Sequence, residues 1–294
     1  MSTRFRENTD LLFSKLFKVT GLLTLVLLGG IFFMLLYNSV SFFLDVAPLD
    51  FFTGNQWNPG SRGDYGILPL IASTILVTLG SMLIAVPLGI FTAAYMSEFA
   101  NRRVQRILKP VIEMLAAIPS VAIGFLGIVI IGPGIAKLFG MQNGLNALNG
   151  SILLAIMSLP TIVTVAEDAI HAVPMSYKEA SLGLGADKWE TLFRVTLPAA
   201  LPGLIAAVML GLGRAIGETM TVLMATGNSL AFPDGYLDSI RTITATIAIE
   251  MGEVPYQTTH YYALFAIATV LFIITLAVNL IGEAIAKYYR KFGA

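Results

Sequence analysis

Cysteine is absent from this chain of 294 residues, which excludes disulfides, thiolate nucleophiles and Cys-ligated metal centres. Histidine is nearly so. His171 and His260 are the only two, they are far apart, and no HExxH spacing exists to hold a catalytic zinc. There is no GxSxG nucleophile elbow and no GxxxxGK[ST] phosphate loop, so the chain carries no ATP cradle of its own. Charge is scarce as well: Asp, Glu, Lys and Arg make up 12% of the residues, against about 25% in soluble domains. The formal net charge is zero, so no bulk field points to nucleic acid.

What fills the space is apolar. Hydrophobic residues reach 56% and the mean hydropathy is +0.80, the composition of an integral membrane protein. A spanning helix needs about 20 predominantly apolar residues. Six stretches meet that length, at 20–44, 67–95, 110–135, 148–170, 201–227 and 261–285. Runs of this length predict helices, because barrel strands would alternate over about ten residues. The expected fold class is all-α and polytopic, with six transmembrane helices. The basic start "MSTRFRENTDLLFSKLFKV" precedes an apolar run too long for a signal peptide and reads as a retained anchor. No internal repeat is visible.

Lys and Arg in the loops set the orientation. Arg4, Arg6, Lys15, Lys18, Arg102, Arg103, Arg106, Lys109, Lys178, Lys188, Arg194, Lys287, Arg290 and Lys291 fall on one side; Arg62, Lys137 and Arg241 fall on the other. Fourteen against three places both termini in the cytoplasm. Two outward loops are longer than connection demands. Residues 45–66 are rich in turn residues. Residues 228–260 contain "SIRTITATIAIEMGEV", too apolar for a solvated linker, and read either as an interfacial helix or as a segment dipping into the protein.

The cytoplasmic segment between spans four and five is also overbuilt. Pro174, a Ser176–Glu179 capping box and apolar Leu182, Leu184, Trp189, Leu192 and Phe193 predict helix over 175–194. Gly183 and Gly185 split it into two short helices. An exposed tryptophan on such a knob fits docking to a partner. Glu179-Ala180-Ser181, Gly185 and Val195-x-Leu197-Pro198 resemble the EAA loop of ABC importer permeases, with Ser181 in place of alanine and Val195 in place of isoleucine. The resemblance implies a coupling helix, carried by Glu179, Ala180, Gly185, Leu197 and Pro198, that receives motion from a separate ATPase.

One charged cluster lies inside a span: "GRAIGETM", residues 213–220. An ionised side chain at mid-bilayer is costly and by default faces protein or a watery path. As one continuous helix, Gly203, Ala207, Gly211, Arg214 and Glu218 share a face whose small residues admit close helix contact. Two readings fit the physics equally. Arg214 and Glu218 form a self-neutralising i,i+4 pair, or the guanidinium lines a path and offers paired donors to an oxyanion. Thr219 is a weaker candidate, since mid-helix threonines usually bond their own backbone.

"GRAIGETM" and "AAIPSVAIGFLGI" (residues 116–128) are similar to the fifth- and third-span motifs of phosphate-specific ABC transporter permeases. "FFTGNQWNP", "GETMTVLMATGNS" and "IAIEMGE" resemble the PstC type rather than the PstA type. The resemblance covers nearly the whole chain and implies the MetI-like permease fold. It divides the chain into an N-terminal segment with the first helix and outer loop (1–66), a permease core (67–285, coupling loop 175–198) and a cytoplasmic tail (286–294). It implies import of inorganic phosphate without a cofactor in this chain, with Arg214, Glu218 and Thr219 along the path. Implied partners are a PstA-like second permease, a PstB-like ATP-binding subunit and a PstS-like external phosphate-binding protein, in a bacterial inner membrane. A molybdate or sulfate permease is the nearest alternative; an ATP-independent channel or carrier leaves residues 179–198 unexplained. Glu113, Glu167 and Asp168 read as interfacial carboxylates, and His171 as a loop histidine. Met220 and Met224 read as packing. Glu250, Glu253 and Arg241 fit either contact with the binding protein or a solvated loop.

Overall fold

The computed structural model describes residues 3–292, and side-chain surroundings for 13–289. The side chains of Arg4, Arg6, Arg290 and Lys291, used above for orientation, lie outside the described residues. Helix α1 (Thr3–Asp45) runs unbroken, and from residue 13 onward it stays largely exposed. Its second half packs on the last helix of the chain, through a hydrogen bond between the Ser39 and Thr269 hydroxyls at 2.7 Å and stacking of Phe32 on Phe272 at 4.9 Å. Next come α2 (Pro48–Thr53) and a two-stranded antiparallel sheet, β1 (Trp57–Asn58) and β2 (Asp64–Tyr65), with Trp57 opposite Tyr65. Phe42, Phe51, Trp57 and Ile67 bury there against each other.

The centre is built from α3 (Leu68–Glu98), α7 (Ala147–His171) and α10 (Leu197–Gly217). α7 is held between the other two at glycine distance. A Cβ on Gly89 of α3 would come 2.6 Å from Ile162, and one on Gly211 of α10 also 2.6 Å from it. Ile162 is fully buried. Small residues let backbones approach where lipid offers no hydrophobic drive for association. Gly203, Ala207 and Gly211 therefore do form the close-packing face read from the sequence, Gly203 meeting Ala169 of α7. Pro87, Pro160 and Pro202 lie inside these three helices, as neighbouring helices permit in a membrane.

Two of the expected spans are divided. The third does not start at 110. α4 (Arg102–Ala117) is a separate amphipathic helix, capped by the Asn101 side chain, with no buried residue. The chain turns at Ile118 and Pro119, and the span itself is α5 (Ser120–Leu126), a π-helical turn (Gly127–Ile131) and α6 (Gly132–Phe139). Proline disfavours α geometry in the residue before it, and Ile118 is extended. Asn149 of α7 donates its side-chain amide to the Gly127 carbonyl at 3.0 Å, at the start of the π turn. The fifth span breaks after Gly217 and resumes as α11 (Met220–Ala225).

Between α7 and α10 lie α8 (Met175–Gly183) and α9 (Lys188–Thr191), two short helices as expected, joined through Gly185 at φ 90. The capping box is not at Ser176–Glu179: Pro174 occupies the α8 N-cap without a side-chain bond. It sits at the second helix, where Glu190 N–H donates to Asp187 Oδ1 at 2.7 Å and Asp187 N–H to Glu190 Oε2 at 3.2 Å. Residues 228–260 dip into the protein. They form α12 (Ile243–Glu250), capped by Thr242, with Ile243 to Thr246 buried. α13 (Thr259–Phe292) closes the fold. Among the described residues, six helical segments are long and apolar enough to cross a membrane.

Candidate functional site

Arg214 lies in the last turn of α10, and its side chain is exposed on the chain's own surface. Its Nη1 donates to Thr161 Oγ1 at 3.3 Å. Thr161 stands near the middle of the 25-residue α7, so the cation is at mid-span depth. A guanidinium has five N–H donors; the other four have no partner among the described residues.

Glu218 does not continue the face. It is extended (φ −69, ψ 132), just past the end of α10, and no Arg214–Glu218 ion pair forms among the described residues. The self-neutralising pair is therefore corrected. The carboxylate instead accepts the Thr221 N–H on Oε1 at 3.2 Å, at the start of α11. The Glu218 carbonyl accepts from Thr244 Oγ1 of α12 at 2.8 Å. Thr219, half-buried, turns its hydroxyl back to the Gly217 carbonyl at 3.4 Å. Thr221 fastens the resumed helix: its hydroxyl reaches the Ser120 carbonyl at 3.0 Å and Met157 Sδ at 3.0 Å.

A helix interrupted at membrane depth frees backbone groups, which persists only where the backbone is buried in protein or lines a water-filled cavity. Here Thr244 and Glu218 itself satisfy part of the break. What results is an exposed guanidinium beside an unwound segment carrying one carboxylate and a nearby threonine hydroxyl. Chemically, such a constellation can attract an anion to the guanidinium, and it contains no nucleophile–base pair for covalent chemistry. Among the described residues no three metal-binding side chains cluster.

The α8–α9 segment stands at one end of the bundle, next to the end of α3. Lys178 pairs with Glu98 and the Ser181 hydroxyl meets that of Thr191 at 3.0 Å, which join α8 to α3 and to α9. Trp189 stacks on Phe99 at 4.4 Å yet remains 58% exposed, and Leu184 is 90% exposed. Glu179, Ala180 and Gly185 are exposed; Leu197 is half-buried and Pro198 exposed where α10 begins. Tyr177, Ala180, Leu184, Ala186 and Val195 line a shallow, almost wholly apolar groove there.

Elsewhere Glu167 is buried and meets Lys109 at 3.7 Å, while Glu113 and Asp168 are exposed. His171 ends α7 and bonds Ser97 and its own helix. Three features escaped the sequence reading: Thr161, Thr244, and the joining of Trp57, Arg241, Glu250 and His260 into one partly buried cluster at the far end. The threonines at 242, 244 and 246 inside "TITATIAI" were the available signal for a packed, capped helix.

Comparison with known proteins bears on both regions. The family described as binding-protein-dependent transport system inner membrane component matches residues 85–291. The probable ABC transporter permease protein YqgH of Bacillus subtilis is 40% identical over 78% of this chain and 75% of its own length. The phosphate transport system permease protein PstC of Mesorhizobium japonicum is 34% identical over 95% of this chain and 89% of its own. Among solved structures, the inward-facing MetNI methionine ABC transporter superposes with a TM-score of 0.57 at 20% identity, covering 76% of this chain and 94% of that one. A bacterial ABC transporter importing the polysaccharide alginate gives 0.60 at 16% identity, over 94% and 98%. At these identities the structures speak for the fold alone.

Proposed function

The chain belongs to the family of binding-protein-dependent transport system inner membrane components, and from that premise we propose that it is one permease half of an ATP-driven importer of inorganic phosphate. The observation that carries the reading is Arg214: a permanent cation at mid-span depth, exposed from its own chain, beside a broken helix. A planar guanidinium with free donors suits a tetrahedral oxyanion. Relatives whose names specify phosphate transport, matched over nearly the whole chain, support phosphate over sulfate or molybdate.

In this reading both termini are cytoplasmic in a bacterial inner membrane. The α8–α9 knob then faces the cytoplasm and docks on a PstB-like ATPase through Glu179, Ala180, Gly185, Leu197 and Pro198. A PstS-like binding protein delivers phosphate to the opposite end. A PstA-like permease covers the exposed side of Arg214 and completes the path with Glu218 and Thr219. ATP-driven closure moves the knob and opens the path by alternating access. Attraction at Arg214 stays modest, because a tight site would hold the anion.

Radiolabelled phosphate uptake in a strain deleted for this chain tests the reading. Arg214→Gln, which keeps a shorter polar side chain with an N–H donor but removes the charge, is expected to leave the complex assembled and reduce uptake at least a hundredfold. Wild-type uptake by that variant, or equal uptake of sulfate by the wild type, overturns it.

A further inference from the structure

Glu250 is the last residue of α12, where the helix dipole disfavours a carboxylate, yet its side chain is only 12% exposed. Both oxygens are engaged. Trp57 Nε1 donates to Oε1 and Oε2 at 3.2 and 3.1 Å, Arg241 Nη1 donates to Oε1 at 3.0 Å, and His260 Nε2 lies 2.8 Å from Oε2. These partners come from three places: the small sheet after α1, the chain entering α12, and the first turn of α13. Arg241 also donates Nε to the carbonyl of Asn228 at 3.1 Å, a residue held at φ 61. The C-terminal end of α12 is thus clasped by segments from three separate parts of the chain.

The N-terminal end of the same helix reaches the candidate path. Ile243 N–H donates to Thr74 Oγ1 of α3 at 3.1 Å, and Thr244 Oγ1 donates to the Glu218 carbonyl at 2.8 Å. An eight-residue helix is about 12 Å long, so α12 is a strut between the loop-bearing end of the molecule and the break in the fifth span.

We infer that Glu250 is a positioning residue for transport: by gathering Trp57, Arg241 and His260 it holds α12 in place, and through Thr244 it fixes the unwound backbone at Glu218. The inference rests on the transport reading of Arg214 and Glu218. The clasp needs a carboxylate in particular. Four acceptor directions on two oxygens receive three donor groups, whereas a glutamine would turn an NH2 toward one of them and leave a buried donor unpaired. A binding protein landing on residues 45–66 or 251–258 would press on Trp57 or His260, and the strut would carry that displacement to the break.

The test uses the full complex with its partner permease, ATPase and binding protein. The chain has no natural cysteine, so Thr219→Cys gives this chain a single thiol at the break, read by its rate of modification with a charged thiol reagent. In Glu250→Gln, uptake is expected to fall at least tenfold and the thiol to react at least five times faster, with the complex still assembled. Glu250→Asp recovers part of both, and Glu113→Gln, at an exposed carboxylate of α4, changes neither. Should Glu250→Gln prevent assembly, Thr244→Val removes the far contact alone and is expected to give the same rise in thiol reactivity. An unchanged thiol rate in whichever of these variants assembles overturns the inference, even if uptake is lost. A wild-type complex that carries no phosphate defeats the transport reading instead, while the thiol rate still decides the clasp.

Discussion

The two ends of the bundle are made of similar residues and finished in opposite ways. At the end holding α2, the sheet and α12, Phe42 and Phe51 are fully buried, Trp57 is 1% exposed, and its indole N–H is bonded. At the end holding α8 and α9, Leu184, Trp189 and Phe193 stand largely in the open, and the turn between the helices is a glycine at φ 90 with nothing within 4 Å of where a Cβ would be. One end buries its aromatic cluster within the chain, with Leu49 and Phe52 of α2 left exposed at its edge. The other keeps its aromatic and aliphatic side chains open, and an exposed apolar patch on a folded protein usually signifies a binding surface. Stability and coupling should therefore separate between the two ends under mutation.

The largest effect is expected at the closed end. Phe51→Ala removes a fully buried ring from the aromatic cluster and should cost about 3–5 kcal/mol, seen as a lowered thermal midpoint of the purified protein. A loss confined to uptake, with the midpoint unchanged, would break the contrast. At the open end, Gly185→Val places a β-branched residue in left-handed backbone, at about 1–2 kcal/mol of local strain. The midpoint should hardly move, while co-purification of the ATPase fails and uptake falls with it; global unfolding by this variant would show that α8 and α9 hold the bundle together. The smallest effect sharpens the closed end alone. Burial, and secondarily the charge of Asp45, raise the Tyr65 hydroxyl above its ordinary value of 10.0. A group raised on folding gives stability that is present below its unfolded pKa and lost as pH climbs through the folded one. Tyr65→Phe should thus match the wild type at pH 7 and gain on it above about pH 10, measured as the difference in thermal midpoint across that range.

Much of this architecture is legible in the sequence because the bilayer imposes a length. Six apolar runs located six spans, and Gly183, Gly185 and Pro174 located the two short helices. Where hydropathy alone was followed, boundaries slipped. "VIEMLAAI" is apolar enough to join the third span, yet Pro119 turns the chain and leaves α4 outside it. The break after Gly217 had no strong local signal. Gly217 permits it, but Thr244, reaching the Glu218 carbonyl from another segment, and Thr221, bonded to Ser120, hold it. Glu250 was opaque for the same reason: a carboxylate in an outer loop looks solvated until Trp57, from another part of the chain, is seen donating to it. Tertiary partners decide these positions, and a one-dimensional pattern does not contain them.

Arg214 has a consequence for the life of the chain before any transport occurs. Newly inserted and alone, the subunit exposes a guanidinium answered among the described residues by Thr161, in a layer where an arginine at a helix centre costs about 2.5–3.5 kcal/mol on insertion scales. If the proposed second permease covers Arg214, an unmatched copy is the less stable form and its partner stabilises it by mass action. The same cation would then tie the abundance of this polypeptide to that of the subunit shielding it.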